Sequence, residues 1–456
     1  MNAALLLAFS SVSSASIAPD DATALGVEAY SYLFPLVLLN VTRGDSQPNT
    51  IHSLPRFLPP RVHEVVRPNV DTLYSTAWLD LAEPVLLSVP DTNGAYYELQ
   101  LLDLWSNTFA APGKRTYGTA AGDFVIAGPR WNGTAPPGAT VIRSSTEGVW
   151  MIGRTQCNGT EDYDAVHAIQ RGFKLAPLSA LQPQPPPPQH PQQPQQQRGL
   201  TPPVVVFAMD ARTFFTAAAS LMARNPATPA DAPFLQRVFA PLGLPTDGAE
   251  LDWDALDETT RAALNASVPL AKAAIAANAS TAPGATVVAG WRYPPADLGG
   301  YGTDYALRSA TALSGLGANL VVDAVYLSTE VDLLPGQQLK LTFASAAALP
   351  PVNAFWSFTA YNSEGYLQPN SLGRYALHSW DPLTDDGDGS LTLYFGDTKP
   401  PPPAAAANWL PCPSDGKNWT ITVRLYWPQE AIINRSWALP PLEIQACEEG
   451  APPLGA

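Results

Sequence analysis

Hydrophobic and polar positions follow two different rhythms along this chain. Apolar residues recur every three to four positions over 22–39, where Pro35 interrupts the pattern near its end, and this spacing predicts a helix. The same spacing predicts further helices over 162–174, 214–224, 233–239 and 254–277. Alternating segments and short apolar runs bounded by Pro, Asp, Asn and Gly predict strands and tight turns over 65–129, 338–343, 354–361, 390–395 and 419–427.

The order of these elements predicts an α+β fold, mainly β with helices. It has a β-rich N-terminal domain, a helical connecting region and a C-terminal antiparallel, jelly-roll-like β-sandwich. The segment rich in Pro and Gln has nothing to bury and is expected to be a disordered insert. The predicted divisions are a signal peptide or N-terminal apolar tail at 1–24, the first domain at 25–181, the insert at 182–203, the helical region at 204–285 and the β-sandwich at 286–445.

Composition narrows the class of protein. The 456 residues include 25 Lys and Arg against 40 Asp and Glu, a net charge of −15, which argues against nucleic-acid binding. The 12 Trp, 16 Tyr and 15 Phe can fill a large core, so the chain is expected to be globular. No run of eighteen apolar residues occurs, and no membrane span is predicted.

The N-terminus and the sequons indicate the compartment. A short apolar block is followed by small residues, with Ser13 and Ala15 placed as at a signal-peptide cleavage site. No Lys or Arg precedes the block, so retention as an apolar strand stays open as an alternative. The pattern Asn-x-Ser/Thr occurs at Asn40, Asn132, Asn158, Asn265, Asn278, Asn418 and Asn434, 7 of the 18 asparagines. Since chance gives about two or three, the excess predicts a secreted, extracellular protein with N-linked glycans.

The cysteines add one covalent prediction. Cys412 and Cys447 lie in the same C-terminal region and are expected to form a disulfide, which leaves Cys157 as a free thiol. The cysteines and histidines show no metal-binding spacing, and no metal or other cofactor is predicted.

Longer motifs resemble two known families. Three stretches resemble the domain of unknown function 1254: Arg67-Pro-Asn-Val-Asp-Thr-Leu-Tyr-Ser-Thr-Ala-Trp-Leu-Asp, Leu99-Gln-Leu-Leu-Asp-Leu-Trp-Ser-Asn-Thr-Phe and Gly113-Lys-Arg-Thr. Three further stretches resemble its usual companion, the domain of unknown function 1214: Gly290-Trp-Arg-Tyr-Pro, Gly302-Thr-Asp-Tyr and Pro351-Val-Asn-Ala-Phe-Trp-Ser-Phe-Thr-Ala-Tyr. The resemblance implies a β-rich domain followed by a jelly-roll-like domain, a secreted or cell-envelope protein and a tendency to oligomerise. It implies no particular reaction.

Two groups of polar residues are the candidates for a site. The densest group is Arg67, Asn69, Asp71 and Tyr74; the second is Asp103, Trp105, Asn107, Lys114 and Arg115. One interpretation is a pocket in which Arg holds an anionic or carbonyl group, a carboxylate acts as base and an aromatic ring stacks on the ligand. The other is a buried Arg–Asp network that holds the turns between strands. The sequence does not bring together a nucleophile, a base and an orienting group, which favours the network.

Two classes of function follow from these observations. The favoured one is a non-enzymatic extracellular glycoprotein that forms homo-oligomers, filaments or a surface coat. The alternative is a secreted hydrolase or lyase that uses the polar residues between 67 and 115. If residues 3–12 are retained, they are a candidate donor strand for the sheet edge of a neighbouring copy, which gives head-to-tail assembly.

Overall fold

Four sheets pack in two pairs, and a group of helices lies beside them. A computed structural model of the protein describes residues 18–62, 65–181, 200–334, 337–397, 406–412 and 418–446. The helices are α1 Pro19–Arg43, α2 Lys114–Tyr117, α3 Tyr163–Gly172, α4 Pro202–Ala208, α5 Ala211–Met222, α6 Ala232–Val238, α7 Glu258–Thr281, α8 Tyr305–Gly315 and α9 Glu430–Ile433. Of the described residues, 31% are helical when short 3-10 helices are included and 26% lie in strands, which confirms the α+β class.

The strands run through both halves of the chain. In the first half they are β1 His52–Ser53, β2 Thr72–Asp80, β3 Val85–Val89, β4 Tyr97–Asp103, β5 Thr108–Ala110, β6 Gly122–Ala127, β7 Thr140–Arg143, β8 Gly148–Gln156 and β9 Lys174–Pro177. In the second half they are β10 Thr286–Val288, β11 Trp291–Tyr293, β12 Ala324–Val331, β13 Gln337–Phe343, β14 Trp356–Tyr361, β15 Ala376–His378, β16 Leu391–Gly396, β17 Trp409–Pro411, β18 Trp419–Tyr426 and β19 Glu443–Ala446.

The first pair of sheets forms an N-terminal sandwich. A five-stranded sheet of order β1-β2-β8-β4-β5 faces a four-stranded sheet of order β7-β6-β3-β9. Ala77 on β2, Leu99 on β4 and Ile126 on β6 belong to the core between them. Because successive side chains of a strand point to opposite faces, the residues between these core positions point away from the core. The second face of the five-stranded sheet is therefore free to pack on another part of the molecule.

The second pair forms a C-terminal sandwich. A six-stranded sheet of order β10-β11-β12-β18-β14-β15 faces a four-stranded sheet of order β17-β16-β13-β19. On β18, Ile421, Val423 and Leu425 point into the core, which places Thr422 and Arg424 on the opposite face. Neighbouring strands of these two sheets pair antiparallel, except β16 and β17, which run parallel. In the N-terminal sandwich, β6 and β7 also form a parallel pair. The four clearest predicted strands are confirmed as β13, β14, β16 and β18. The jelly-roll connectivity stays a prediction.

The helices α1, α4 to α7 and α8 form a helical cluster with a core of its own. Pro35 does not end α1, which continues for eight residues to Arg43. A proline removes one helical hydrogen bond, but Leu36, Val37, Leu38 and Leu39 are buried in this core and hold the helix together. Helix α1 thus packs with the helical cluster, although the predicted division of the chain placed it in the first domain.

Helix α1 also bears on the question of a membrane span. Among the described residues it is long and apolar enough to cross a bilayer, and α4 with α5 passes the same test as a pair bent by 118°. However, 67% of the apolar stretch of α1 is buried inside the protein. A helix that is apolar all round is also what the core of a large soluble protein requires, and the packing of α1 favours that explanation.

Several predictions concern residues outside the described ranges. These are the signal peptide or apolar tail up to residue 17, the insert from 182 to 199, and Cys447. Cys412 is a buried thiol, and its pairing with Cys447 stays a prediction. The C-terminal end of the predicted insert differs from the structure, because Pro202 and Pro203 form the first turn of α4, where a missing N–H costs nothing.

Candidate functional site

The five-stranded sheet of the N-terminal sandwich presents a row of polar residues to the C-terminal sandwich. The register of β2, β8 and β4 places Tyr74, Arg154 and Glu98 side by side across three neighbouring strands. Arg154 and Glu98 are 4% and 2% exposed, so this row is buried although it lies outside the sandwich core. Burial of two opposite charges outside a core shows that another part of the molecule covers them.

The six-stranded sheet of the C-terminal sandwich presents a second polar row. The register of β12, β18, β14 and β15 lines up Tyr326, Arg424, Ser357 and His378. The two rows meet, together with residues from the loop before β2 and the end of β18. We define the interdomain polar layer as Asp71, Tyr74, Glu98, Arg154, Tyr326, Ser357, His378, Arg424 and Tyr426.

Asp71 is fully buried and receives hydrogen bonds from three strands of the other sandwich. Its Oδ2 accepts from the Ser357 hydroxyl at 2.9 Å and from the Tyr426 hydroxyl at 3.1 Å. Its Oδ1 lies 3.1 Å from His378 Nε2. Burial by itself raises the pKa of a carboxyl, but the hydrogen bond from His378 and the charge of Arg424 outweigh it and lower the pKa of Asp71. The carboxylate is therefore ionised and joins the two sandwiches.

Asn69 shapes the turn that delivers Asp71. Its Oδ1 accepts from the amides of Asp71 and Thr72 at 2.7 and 2.9 Å, the pattern of an Asx turn. Its Nδ2 donates to the Tyr426 hydroxyl at 2.7 Å. Asn69 thus fixes the start of β2 and positions the donor that Tyr426 offers to Asp71.

His378 lies between two carboxylates. Besides Asp71, Asp381 Oδ2 lies 3.4 Å from its Nδ1, and the ring stacks on Trp380 with centroids 4.3 Å apart. Burial opposes the charged imidazole, but the hydrogen bonds with Asp381 and Asp71 raise the pKa of His378 to about 9. At neutral pH both ring nitrogens therefore carry protons, and the ring lacks the lone pair that a general base needs.

Arg424 is the buried arginine next to Asp71. Its guanidinium donates to Thr359 Oγ1 at 3.0 Å, to the Tyr361 hydroxyl at 2.7 Å and to the backbone oxygen of Arg67 at 3.2 Å. The predicted anion-holding arginine, Arg67, has an exposed side chain and a φ of 53°, and its amide donates to the Gly365 carbonyl at 2.7 Å. Arg67 thus contributes backbone groups, while Arg424 supplies the buried positive charge.

Glu98 and Arg154 form the other end of the layer. Asn319 Nδ2 donates to both Glu98 oxygens at 2.7 and 2.9 Å, whereas Arg154 Nη1 lies 3.8 Å from Oε2. Burial raises the pKa of Glu98 to about 7, although the charge of Arg154 opposes the shift. Arg154 donates instead to Gln100 Oε1 at 2.8 Å, and its guanidinium lies over the Tyr74 ring at 5.4 Å.

The second predicted group does not join the first at one point. Asp103 Oδ1 accepts from the amides of Trp105 and Asn107, both at 2.9 Å, and its Oδ2 accepts from Ser145 at 3.2 Å. These bonds close the turn between β4 and β5. The indole of Trp105 donates to the Pro226 carbonyl at 3.1 Å and thereby ties that turn to the helical cluster.

Lys114 and Arg115 form hydrogen bonds at two further places in the structure. Lys114 Nζ donates to the Gly94 carbonyl at 2.8 Å, and Arg115 Nε donates to Asp323 Oδ1 at 2.6 Å. Asp71, Asp103 and Arg115 therefore belong to three separate sets of hydrogen bonds. Burial raises the pKa of Asp323 against the opposing effect of Arg115.

Most partners of Asp71 are not among the residues predicted from the sequence. These partners are His378, Arg424, Ser357 and Tyr426. A signal for Arg424 does exist, since it is a charged residue on the polar side of the alternating segment 419–426. The alternation assigns Arg424 to the outer face, but it carries no information that a second sandwich covers that face.

Residues of the interdomain polar layer form hydrogen bonds with one another across the interface between the sandwiches. Ser357 is fully buried and its hydroxyl donates to Asp71 and not to His378, so no nucleophile–base pair of the serine-hydrolase kind forms within the layer. The charged groups face one another across the interface between the sandwiches, which is the arrangement of a structural network.

Comparisons with known proteins agree with the two-part architecture. The family model "Protein of unknown function (DUF1254)" matches residues 48–177, and "Protein of unknown function (DUF1214)" matches residues 323–430. The search of curated proteins found no match. Both polar rows lie within the matched ranges, one row in each.

Two solved structures also match. The VPA0106 protein from Vibrio parahaemolyticus is 21% identical, with 93% of this chain and 100% of that chain covered and a TM-score of 0.70, so the two share a fold. An uncharacterized protein from Burkholderia cenocepacia is 13% identical, with 94% of each chain covered and a TM-score of 0.43. The two family matches, in this order and on the two sandwiches that the polar layer joins, show that this chain belongs to the tandem DUF1254/DUF1214 family.

Proposed function

We propose that the protein is a secreted, N-glycosylated structural protein that assembles with copies of itself. The observation that carries this proposal is the use of the polar residues. Asp71, Ser357 and His378, the groups from which a catalytic site would be built, are engaged with one another across the interface between the sandwiches. Their bonds stabilise one relative position of the two domains, as a building unit requires.

The sequons support the extracellular part of the proposal. A glycan needs an accessible asparagine, and five of the seven sequons meet this condition: Asn132, Asn158, Asn265, Asn418 and Asn434 are exposed. Asn40 and Asn278 are half-buried. Folding thus leaves most of the predicted acceptor sites open to solvent.

Free sheet edges support the assembly part. In the described chain, β10 and β19 are terminal strands of their sheets, and Val287 and Ile444 on them are 69% and 59% exposed. Strand edges with exposed apolar side chains accept further strands, from a neighbouring copy or from a retained segment 3–12. Head-to-tail assembly through that segment is one form of this proposal.

Expression in a eukaryotic secretory host tests both parts. We expect the secreted protein to lose mass when N-glycans are removed enzymatically, and we expect light scattering to give a mass several times that of one chain. A secreted chain with no glycan mass that stays monomeric over a wide concentration range would contradict the proposal.

A hydrolase or lyase is the second candidate, and one observation favours it. His378 lies between Asp71 and Asp381 with 14% of its side chain exposed, so a charged imidazole reaches the surface beside Trp380. A ring with a pKa of about 9 is able to act as a general acid at neutral pH. For an enzyme, replacement of His378 removes turnover and leaves the fold stable, whereas for a structural network it lowers the stability.

A further inference from the structure

An open groove of about 580 Å³ lies where the helical cluster meets the C-terminal sandwich. Pro283 after α7, Pro295 and Asp297 before α8, and Leu307 within α8 line one side. Asn434 and Arg435, which follow α9, line the other. The volume lies within the range of small-molecule sites, roughly 300–1,000 Å³. The groove thus contains a sequon asparagine in its own wall.

The sequon Asn434-Arg435-Ser436 is folded into a defined turn. Asn434 Oδ1 accepts from the Ser436 amide at 2.9 Å, which forms an Asx turn, and Arg435 has a φ of 64°. Asn434 and Ser436 are both exposed. Asn434 Nδ2, the atom that carries an N-linked sugar, makes no hydrogen bond to any residue in the described ranges. The acceptor nitrogen is therefore available at the wall of the groove.

Arg435 fixes the direction of this turn. Its guanidinium donates to Thr286 Oγ1 at 2.8 Å and to the Pro294 carbonyl at 3.2 Å, and it lies over the Tyr293 ring at 6.0 Å. These contacts tie the turn to the opposite side of the groove. A sugar on Asn434 consequently starts from a fixed position with the groove beside it.

We propose that the N-glycan on Asn434 folds back into this groove and covers the seam between the helical cluster and the C-terminal sandwich. This inference rests on the proposed function, since it requires glycosylation. In the attachment step, Asn434 Nδ2 forms a bond to C1 of the first sugar and loses a proton. The bond between C1 and the phosphate oxygen of a lipid-diphosphate oligosaccharide donor breaks, and the lipid diphosphate leaves.

The chemistry of the groove fits a sugar. Pyranose rings have apolar C–H faces, which pack on the exposed Pro283 and Ala296, and hydroxyls that donate hydrogen bonds. The exposed carboxylate of Asp297 is an acceptor for those hydroxyls. Asp304 is already used, because its Oδ1 accepts from the Leu307 amide at 2.8 Å and caps α8.

Asn158 provides a matched control within the same chain. It is exposed, like Asn434, but it follows β8 in the N-terminal sandwich and does not line this groove. A host in which glycan processing beyond the high-mannose stage is blocked leaves a high-mannose glycan at both sites. A difference between them therefore reports the surroundings of the sugar and not its composition.

The test is the rate at which endoglycosidase H removes high-mannose glycans from the folded, secreted protein. Site-specific peptide mass spectrometry follows Asn434 and Asn158 over time. We expect release at Asn434 to be at least about tenfold slower in the folded protein and equal at both sites after denaturation. Asp297→Ala should speed release at Asn434 severalfold, whereas Asp388→Ala, in the exposed turn before β16, should not.

Each of the other possible results contradicts a specific part of the proposal. Equal rates in the folded protein refute the covered glycan, and an Asp297→Ala variant as slow as the unmodified chain refutes the carboxylate contact. An unglycosylated Asn434 beside a glycosylated Asn158 refutes the inference but leaves the proposed function standing. If all seven sequons of the secreted protein are unmodified, the glycoprotein proposal itself is wrong.

Discussion

Asp71 and Glu98 are two carboxylates of the interdomain polar layer with nearly equal burial, at 0% and 2% exposure, and yet their surroundings act in opposite directions. The pKa of Asp71 is lowered, whereas that of Glu98 is raised to about 7. Asp71 accepts from a charged imidazole and two hydroxyls. Glu98 accepts mainly from the neutral amide of Asn319 and has a second carboxylate, Asp323, nearby.

The difference shows that donors, and not burial, decide the charge of a carboxylate in this interface. Charge-assisted hydrogen bonds replace the lost hydration of Asp71, while Arg154 at 3.8 Å does not approach Glu98 closely enough to do the same. The Asp71 end therefore acts as an ionic link between the sandwiches, and the Glu98 end adds little stability near neutral pH.

The largest effect is expected from removal of the Asp71 carboxylate. Asp71→Ala leaves His378 and Arg424 buried without their shared anion, a loss of roughly 3–5 kcal/mol in the free energy of unfolding. Chemical denaturation measures it. The exposed Asp45→Ala is the matched control and should change stability by less than about 0.5 kcal/mol. A similarly small loss for Asp71→Ala would mean that the layer does not hold the domains together.

A smaller, pH-dependent effect is expected from His378→Gln. The pKa of His378 is raised from 6.5 to about 9, so its stabilising charge is fully present below pH 6.5 and is lost as the pH rises through 9. The variant should therefore be less stable by roughly 2–3 kcal/mol at pH 6 and by much less at pH 9.5.

His52→Gln, at an exposed histidine of β1, is the control for this experiment and should show no such dependence. A pH-independent loss for His378→Gln would indicate packing against Trp380 as the cause. Unchanged stability at both pH values would remove the ionic link and favour the enzymatic candidate.

The smallest effect is expected from Glu98→Gln. The pKa of Glu98 is raised from 4.5 to about 7, so the folded protein holds this proton more tightly and loses stability as the pH rises between these values. The variant should lie within about 1 kcal/mol of the unmodified protein at pH 5. Its stability should fall less between pH 5 and 8 than that of the unmodified protein, and His378, which loses its stabilising charge above pH 6.5, should contribute to the slope that remains.

Glu364→Gln, at an exposed position, should leave the unmodified pH profile in place. If Glu98→Gln costs as much as Asp71→Ala at pH 8, the two ends of the layer are equivalent and the contrast between them is wrong. Together, Asp71→Ala, His378→Gln and Glu98→Gln compare how much the two ends of the interdomain polar layer contribute to stability.

The local elements of the fold were predictable from patterns in the sequence. Alternation located β13, β14, β16 and β18, and helical spacing located α3 and α5 to within a few residues. The sequence pattern predicts that Pro35 interrupts α1, whereas the helix continues to Arg43. Helix propensity accounts for the hydrogen bond lost at the proline, but not for the burial of Leu36 and Leu39 in the helical cluster. Tertiary packing outweighed a local helix-breaking signal there.

The candidate site was only half predictable. Asn69 and Asp71 stand out because polar residues are densest in their short stretch of sequence. Their partners are distant, since His378 follows Asp71 by 307 positions and Tyr426 by 355. Residue type and spacing do not specify contacts across such separations.

The sequence by itself determined many of the strands and helices, the face of each strand on which Arg424 and Ser357 lie, and the family of the chain. Only the tertiary structure decided that two outer faces cover each other, and hence which charges are buried and paired. The reason is physical: strand alternation follows from backbone geometry within a few residues, whereas burial and pKa depend on groups that folding brings from the other half of the chain.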